Sequence, residues 1–115
     1  MSDVFLDTVG LLAIWNRRDQ WHATASQVFA ELMNRNRDFV TTPAVLLECG
    51  NAAARQPFRS LVGALRQKLF QADRLIEPTA DEGDAAWLGY LAGECGDAGI
   101  VDHLSFAVMR RLQIF

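Results

Sequence analysis

Short β-prone runs alternating with helical blocks constrain this chain more than any other feature of it. Val4-Phe5-Leu6 is apolar and β-prone, stops at Asp7-Thr8, and is followed from Leu11 to Trp15 by helix-forming residues. From Trp21 to Met33 the apolar residues Trp21, Ala25, Val28, Phe29 and Leu32 recur at three and four, the spacing of one helix face. After a polar break from Asn34 to Asp38, Phe39-Val40-Thr41-Thr42 reads as a second strand, and Pro43 suits the first turn of a helix. That helical block, Ala44 to Arg55, ends before Pro57. Phe58, Leu61, Val62, Leu65 and Leu69 then mark another amphipathic helix, with Arg59 and Arg66 on its other faces. Leu75-Ile76-Glu77 before Pro78 reads as a third short strand. Trp87, Leu88, Leu91 and Cys95 define the apolar side of the next helix, Gly96 to Gly99 a turn, and Ile100 to Arg111 a last helix. Gln113-Ile114-Phe115 reads as a strand just beginning.

Parallel strands need crossover connections, and crossovers pack as helices. The expected architecture is therefore α/β and three-layered: a parallel sheet of about four short strands with helices on both faces. The carboxyl ends of such strands share one edge, where polar groups converge and chemistry is to be sought. At 115 residues, 50% of them hydrophobic and 22% charged, the chain has the makings of one soluble globular domain over residues 1–115. No basic leader and no apolar run near the ~18–20 residues of a membrane span is present, so a cytoplasmic protein is expected. Cys49 and Cys95 lie in apolar surroundings without a C-x-x-C pattern and read as buried free thiols. His22 and His103 are isolated, which gives no basis for structural zinc.

The formal charge of −3 hides a segregation. From Arg55 to Arg74 five basic residues (Arg55, Arg59, Arg66, Lys68, Arg74) face one acid, Asp73; from Leu75 to Asp102 there are seven acids and no base. Ten of the eleven basic residues are arginine, whose planar fork suits phosphate. The basic segment is either a solvated helix face or a surface for an anionic partner.

Four acids stand at the expected strand outlets. Asp7 follows the first strand directly, and either caps the next helix or serves a site. Glu48 interrupts the apolar Ala44-Val45-Leu46-Leu47 and Cys49, so it either reaches solvent from one helix face or serves a site. Asp102 lies near the start of the last helix, where the dipole favours an anion, and Asp97 is a turn residue or a site residue. Acids gathered in one cleft repel one another unless a cation is present. With no nearby Cys or His ligands, that cation would be hard, Mg²⁺ or Mn²⁺.

Val4-Phe5-Leu6-Asp7-Thr8, the Trp21-His22 pair, Val40-Thr41-Thr42 leading to Leu46-Leu47-Glu48, and Asp97 with Val101-Asp102-His103-Leu104-Ser105-Phe106-Ala107-Val108-Met109 together resemble the PIN-domain ribonucleases. Closest among them are the VapC-type toxins of bacterial type II toxin–antitoxin pairs. The resemblance spans nearly the whole chain with every block in order. It implies a PIN-like fold in which Asp7, Glu48 and Asp102 are catalytic and bind Mg²⁺ or Mn²⁺, with Asp97 as a fourth acid. Thr8 and Ser105 match small polar positions around such sites. The implied reaction is hydrolysis of RNA phosphodiester bonds to 5′-phosphate and 3′-hydroxyl ends, and the implied partners are a cognate antitoxin and a second copy of the chain. Arg17, Arg18, Arg55, Arg59 and Arg66 are candidates for contact with RNA phosphates. The family pattern continues beyond the position of Phe115 into a strand and another metal-site aspartate. On that pattern the chain is a PIN-like domain without its last strand segment, and the alternative expectation is a weak or inactive domain that binds RNA or protein.

Rival patterns are thinner. Arg17 and His22 match the R-x4-H spacing of a metal-independent class of helical ribonucleases, but Phe39 to Thr42 reads as strand. Receiver domains need paired early acids and a late lysine, whereas no suitable pair adjoins Asp7 and Lys68 is the single lysine. Walker-type and dinucleotide-binding glycine patterns are absent.

Overall fold

The computed structural model describes residues 3–114. Its elements follow in the order β1 (Val4–Phe5), α1 (Thr8–Trp15), α2 (His22–Asn34), β2 (Phe39–Val40), α3 (Pro43–Ala53), α4 (Arg59–Gln71), α5 (Ala80–Leu91) and α6 (Ile100–Leu112). β1 and β2 pair in parallel, with Val4 opposite Phe39 and Phe5 opposite Val40. This is the α/β class, with the parallel sheet expected, but the sheet is smaller than four strands among the described residues. The third strand shrinks to a bridge between Thr41 and Leu75, held by Ile76 N–H donating to the Thr41 carbonyl at 2.8 Å. Pro78, which lacks an N–H, follows closely and limits any longer ladder. Gln113 starts no strand: it adopts the left-handed conformation (φ 56°) that ends α6, while Phe115 lies outside the described residues.

Several helices end the same way. Asn36, Asp73 and Gln113 each take positive φ, and the next N–H reaches back to a carbonyl of the last turn: Arg37 to Leu32, Arg74 to Leu69 and Ile114 to Met109. Asn and Asp tolerate this conformation because their short polar side chains bond locally. The turn at Asn36 is what delivers the chain from α2 straight into β2.

The core forms where α1, α3 and α4 meet beneath the strands, around Leu6, Leu11, Val45, Leu46, Cys49, Ala53, Phe58 and Val62. Successive strand residues point to opposite sides. Phe39 meets the Phe29 ring of α2 at 4.8 Å between centroids, and Val40 beside it is buried, so side chains cover both faces of the sheet. The predicted face of α2 does turn toward α1, but no residue of α2 is fully buried. Ala25, Val28, Phe29 and Leu32 instead line an apolar cavity of about 260 Å³ between the two helices.

α5 differs from expectation. Trp87, Leu88 and Leu91 are exposed, and the buried positions are the small residues Ala86 and Gly89. A β-carbon at Gly89 would stand 2.9 Å from Glu94 Oε2 and 3.1 Å from His103 Nδ1, so glycine eases the approach of α6 to α5. Cys95 lies beyond the end of α5, in an exposed turn with positive φ, and only Cys49 is the buried thiol. Of the tryptophans, Trp21 and Trp87 are exposed, whereas Trp15 is half-buried and packs against the core.

Candidate active site

Asp7 closes the step from β1 into α1. Its backbone is extended, and Oδ1 accepts a hydrogen bond from Gly10 N–H at 2.7 Å, capping α1. Of the two alternatives for Asp7 the cap is realised, through one carboxylate oxygen, and the side chain remains exposed at the strand edge. A β-carbon at Gly10 would lie 2.8 Å from Asp7 Oδ1, so a larger residue there would oblige the carboxylate to shift.

The step from β2 into α3 is built from two threonines that strand propensity alone does not single out. Thr41, fully buried, donates its hydroxyl to the Leu6 carbonyl at 2.6 Å and so ties the end of β2 to the residue before Asp7. Thr42, also fully buried, caps α3 by accepting from Val45 N–H, with Pro43 at the first helical position. α3 then carries Glu48 back to the same edge. Thr8 Oγ1 donates to Glu48 Oε1 at 2.5 Å, joining the residue after Asp7 to the acid on α3.

The buried thiol beside this pair registers both charges. Cys49 is pushed up to about 11, first by burial and then by the negative charges of Glu48 and Asp7. Two carboxylates thus share one neighbourhood although they come from separate strand–helix units.

Asp102 sits in the first turn of α6, where its Oδ2 accepts from Gly99 N–H at 2.9 Å. Its neighbour Val101 packs against the same core as Leu6, Val45 and Cys49. Asp97 is exposed in the turn between α5 and α6. Ser105, three residues beyond Asp102, is buried. Beside Asp102, His103 is buried against the Tyr90 and Phe106 rings, and its Nε2 has no hydrogen-bond partner among the described residues. The structure joins Thr8 and Glu48 by a hydrogen bond next to the Asp7 cap. It gathers no three Asp, Glu, His or Cys side chains closely enough to hold one metal ion among the described residues. The donor chemistry still suits a hard cation, because Mg²⁺ keeps several waters and commonly uses one or two carboxylates.

The arginines divide. Arg74 is structural, pairing with Asp3 at 2.6 Å and donating to the Phe39 carbonyl. Arg66 lies over the Phe70 ring at 5.9 Å, and Arg59 donates to the Ala54 carbonyl at the end of α3. Arg55 is exposed in the turn that follows. Arg17 and Arg18, beyond the end of α1, line a separate cavity with Trp15 and Phe58.

The short parallel sheet and its capped helices form an α/β domain with Asp7 and Glu48 exposed at one strand edge. No family model matches the sequence, and no curated protein does. Among solved structures, the chain is similar to the Mycobacterium tuberculosis toxin VapC20, which cleaves the sarcin–ricin loop. The two align with a TM-score of 0.76 and 26% identity over 97% of this chain and 85% of that one. In fold, this chain is similar to a VapC-type PIN toxin.

Proposed function

We propose that the chain is a Mg²⁺- or Mn²⁺-dependent endoribonuclease and the toxin of a toxin–antitoxin pair. The observation that carries this reading is the Thr8–Glu48 hydrogen bond, which sets acids of two strand–helix units at one edge of a VapC-type fold. Asp7 and Glu48 would hold the ion, with Asp102 and Asp97 as the further acids. A bound divalent ion supplies Lewis acidity at the scissile phosphate.

The chain's own residues do the positioning. Capping of α1 fixes Asp7 in one rotamer, and the Thr8 hydroxyl holds one oxygen of Glu48 so that the other points away from that bond. All four acids are exposed, which leaves the edge open to an RNA strand. Arg17, Arg18, Arg55, Arg59 and Arg66 attract its phosphates, and Ser105 supports Asp102 from the buried side of α6. A cognate antitoxin, a homodimer and a cytoplasmic location belong to the same reading. Consistent with it, no helix among the described residues is long and apolar enough to cross a membrane.

The purified chain should cut RNA with Mg²⁺ or Mn²⁺ and lose the activity in chelator. Asp7→Asn keeps a good capping residue and Asp102→Asn is isosteric, so each should remove cleavage, by at least a hundredfold, without lowering the melting temperature by more than a few degrees. Undiminished cleavage by either variant strikes that residue from the site. RNA binding without cleavage in either metal would identify a PIN-like binding domain instead of an enzyme.

A further inference from the structure

One cavity contains none of the acids. It has a volume of about 600 Å³, within the range of roughly 300–1,000 Å³ typical of small-ligand sites, and opens where two connections meet: the one after α1 and the one between α3 and α4. Trp15 at the end of α1 and Asn16, Arg17 and Arg18 after it line one side, and Gln56 with Ser60 of the first turn of α4 the other. None of the residues lining it is acidic.

Both walls are held by their own hydrogen bonds. Arg18 N–H donates to Asn16 Oδ1 at 3.1 Å, and Asp19 N–H to the Asn16 carbonyl at 3.0 Å. Across the cavity, Gln56 N–H donates to the Ala53 carbonyl at 2.9 Å and Arg59 N–H to the Gln56 carbonyl at 3.1 Å. Trp15 packs on Phe58 with ring centroids 6.5 Å apart and planes 27° from parallel. The half-buried indole is therefore fixed as part of the wall. The guanidinium groups of Arg17 and Arg18, in contrast, make no ion pair or hydrogen bond among the described residues. Two unengaged guanidinium forks, three neutral hydrogen-bonding side chains and a fixed aromatic surface make a site for a ligand that is anionic and aromatic at once.

We infer that this cavity receives one unpaired nucleotide of an RNA strand, its base against the Trp15 indole and its phosphates on Arg17 and Arg18. The inference rests on the nuclease reading for its choice of RNA and deepens it by adding a subsite away from the acids. α1 spans the distance between them: eight residues at 1.5 Å each, about 12 Å from the Asp7 cap to Trp15. Stacking on an aromatic side chain is tolerant of base identity, whereas guanidinium contacts to phosphate give the salt dependence.

The test uses the full chain carrying Asp7→Asn, so that binding is read without cleavage, and a fluorescein-labelled single-stranded decaribonucleotide as probe. Arg17→Gln with Arg18→Gln should weaken binding about tenfold at moderate salt and flatten the log–log salt dependence by roughly 1.4, two contacts at about 0.7 each. Arg35→Gln with Arg110→Gln removes the same charge elsewhere on the surface and should do neither. Equal losses in the two double variants overturn the inference, because binding would then follow overall charge.

A second measurement reads the aromatic wall. With the exposed Trp21 and Trp87 changed to Phe, Trp15 is the remaining indole, and its fluorescence should change with the same affinity as the anisotropy. A silent Trp15 at saturating oligonucleotide overturns the inference, as does binding of a nucleoside monophosphate as tight as that of the strand. Failure of the nuclease reading looks different: no cleavage by the unmodified chain in Mg²⁺ or Mn²⁺, with the binding results intact.

Discussion

A β-carbon on Gly10 would stand 2.8 Å from Asp7 Oδ1, closer than such contacts allow, and the atom it meets is the one that caps α1. Gly10→Ala therefore sets two effects against each other. Alanine is the better helix former by up to about 1 kcal/mol, and loss of the Asp7 cap costs a similar amount, so thermal stability should change by little. The Asp7 carboxylate, however, must turn away from its present position, and misplacement of a reacting group by about 1 Å is worth on the order of a hundredfold in rate. The expected outcome is a fall in kcat/KM for RNA of ten- to a hundredfold at nearly constant melting temperature. Unchanged kinetics would mean that the cap has no bearing on the proposed chemistry. Asp7 itself was legible from its place after a β-prone run. Its glycine was not, because a glycine three residues into a helix has no signature until the capping oxygen is located.

At the scale of elements, the start of α5 is fastened to the end of α6 through one glutamate. Thr79 and Glu82 form a reciprocal capping box, with Thr79 N–H donating to Glu82 Oε1 at 2.8 Å and Glu82 N–H to Thr79 Oγ1 at 3.1 Å. Arg111 adds a two-pronged contact to the same carboxylate at 2.9 and 3.0 Å and donates to the Glu77 carbonyl. The Arg111 hydrogen bond is the main cause holding the Glu82 carboxyl below its ordinary range. A carboxyl with a lowered folded-state pKa contributes stability above its unfolded value, and the contribution fades as pH falls through the folded value. Glu82→Gln keeps the capping box and removes the charge, so at neutral pH it should cost up to about 1 kcal/mol, as expected for an exposed pair. That difference from the unmodified protein should vanish in strongly acidic solution. Urea unfolding at neutral pH and at pH 3 or below measures it, and a difference that grows on acidification would contradict the assignment. The capping pattern was open to sequence reasoning, but the packing of α5 was not. Large apolar residues at helical spacing suggested a core face of Trp87, Leu88 and Leu91, whereas burial went to Ala86 and Gly89, where small size permits close approach to α6. The short strands were visible as β-prone runs. The third shrank to a bridge at Leu75 ahead of Pro78, and the run after α6 became a helix end with Gln113 in the left-handed conformation.

For the whole molecule, the segregated charges acquire distinct uses. Part of the basic segment is absorbed by structure, as with Arg74, while the pair left for an anionic ligand, Arg17 and Arg18, lies outside that segment. The seven acids from Leu75 to Asp102 divide likewise, Glu82 serving the α5–α6 clasp and Asp102 the start of α6. The acids of the proposed site, Asp7, Glu48, Asp97 and Asp102, are exposed and come from three parts of the chain far apart in sequence. A ligand that binds such a set binds the folded state and not the unfolded one, so it must stabilise the whole domain. At a hundredfold excess over its dissociation constant, Mn²⁺ should add about 2.7 kcal/mol, which for a domain of this size is roughly 10 °C in melting temperature. Glu48→Gln should abolish most of that rise while leaving the metal-free melting temperature within a few degrees, since its side chain is exposed and its Thr8 hydrogen bond can be kept by the amide oxygen. Asp97→Asn separates the contributions: a smaller rise than in the unmodified protein makes Asp97 a ligand, and an equal one leaves it a turn residue. A melting temperature indifferent to Mn²⁺ and Mg²⁺ at millimolar concentration would remove metal from the site altogether, whatever nuclease activity the chain displays.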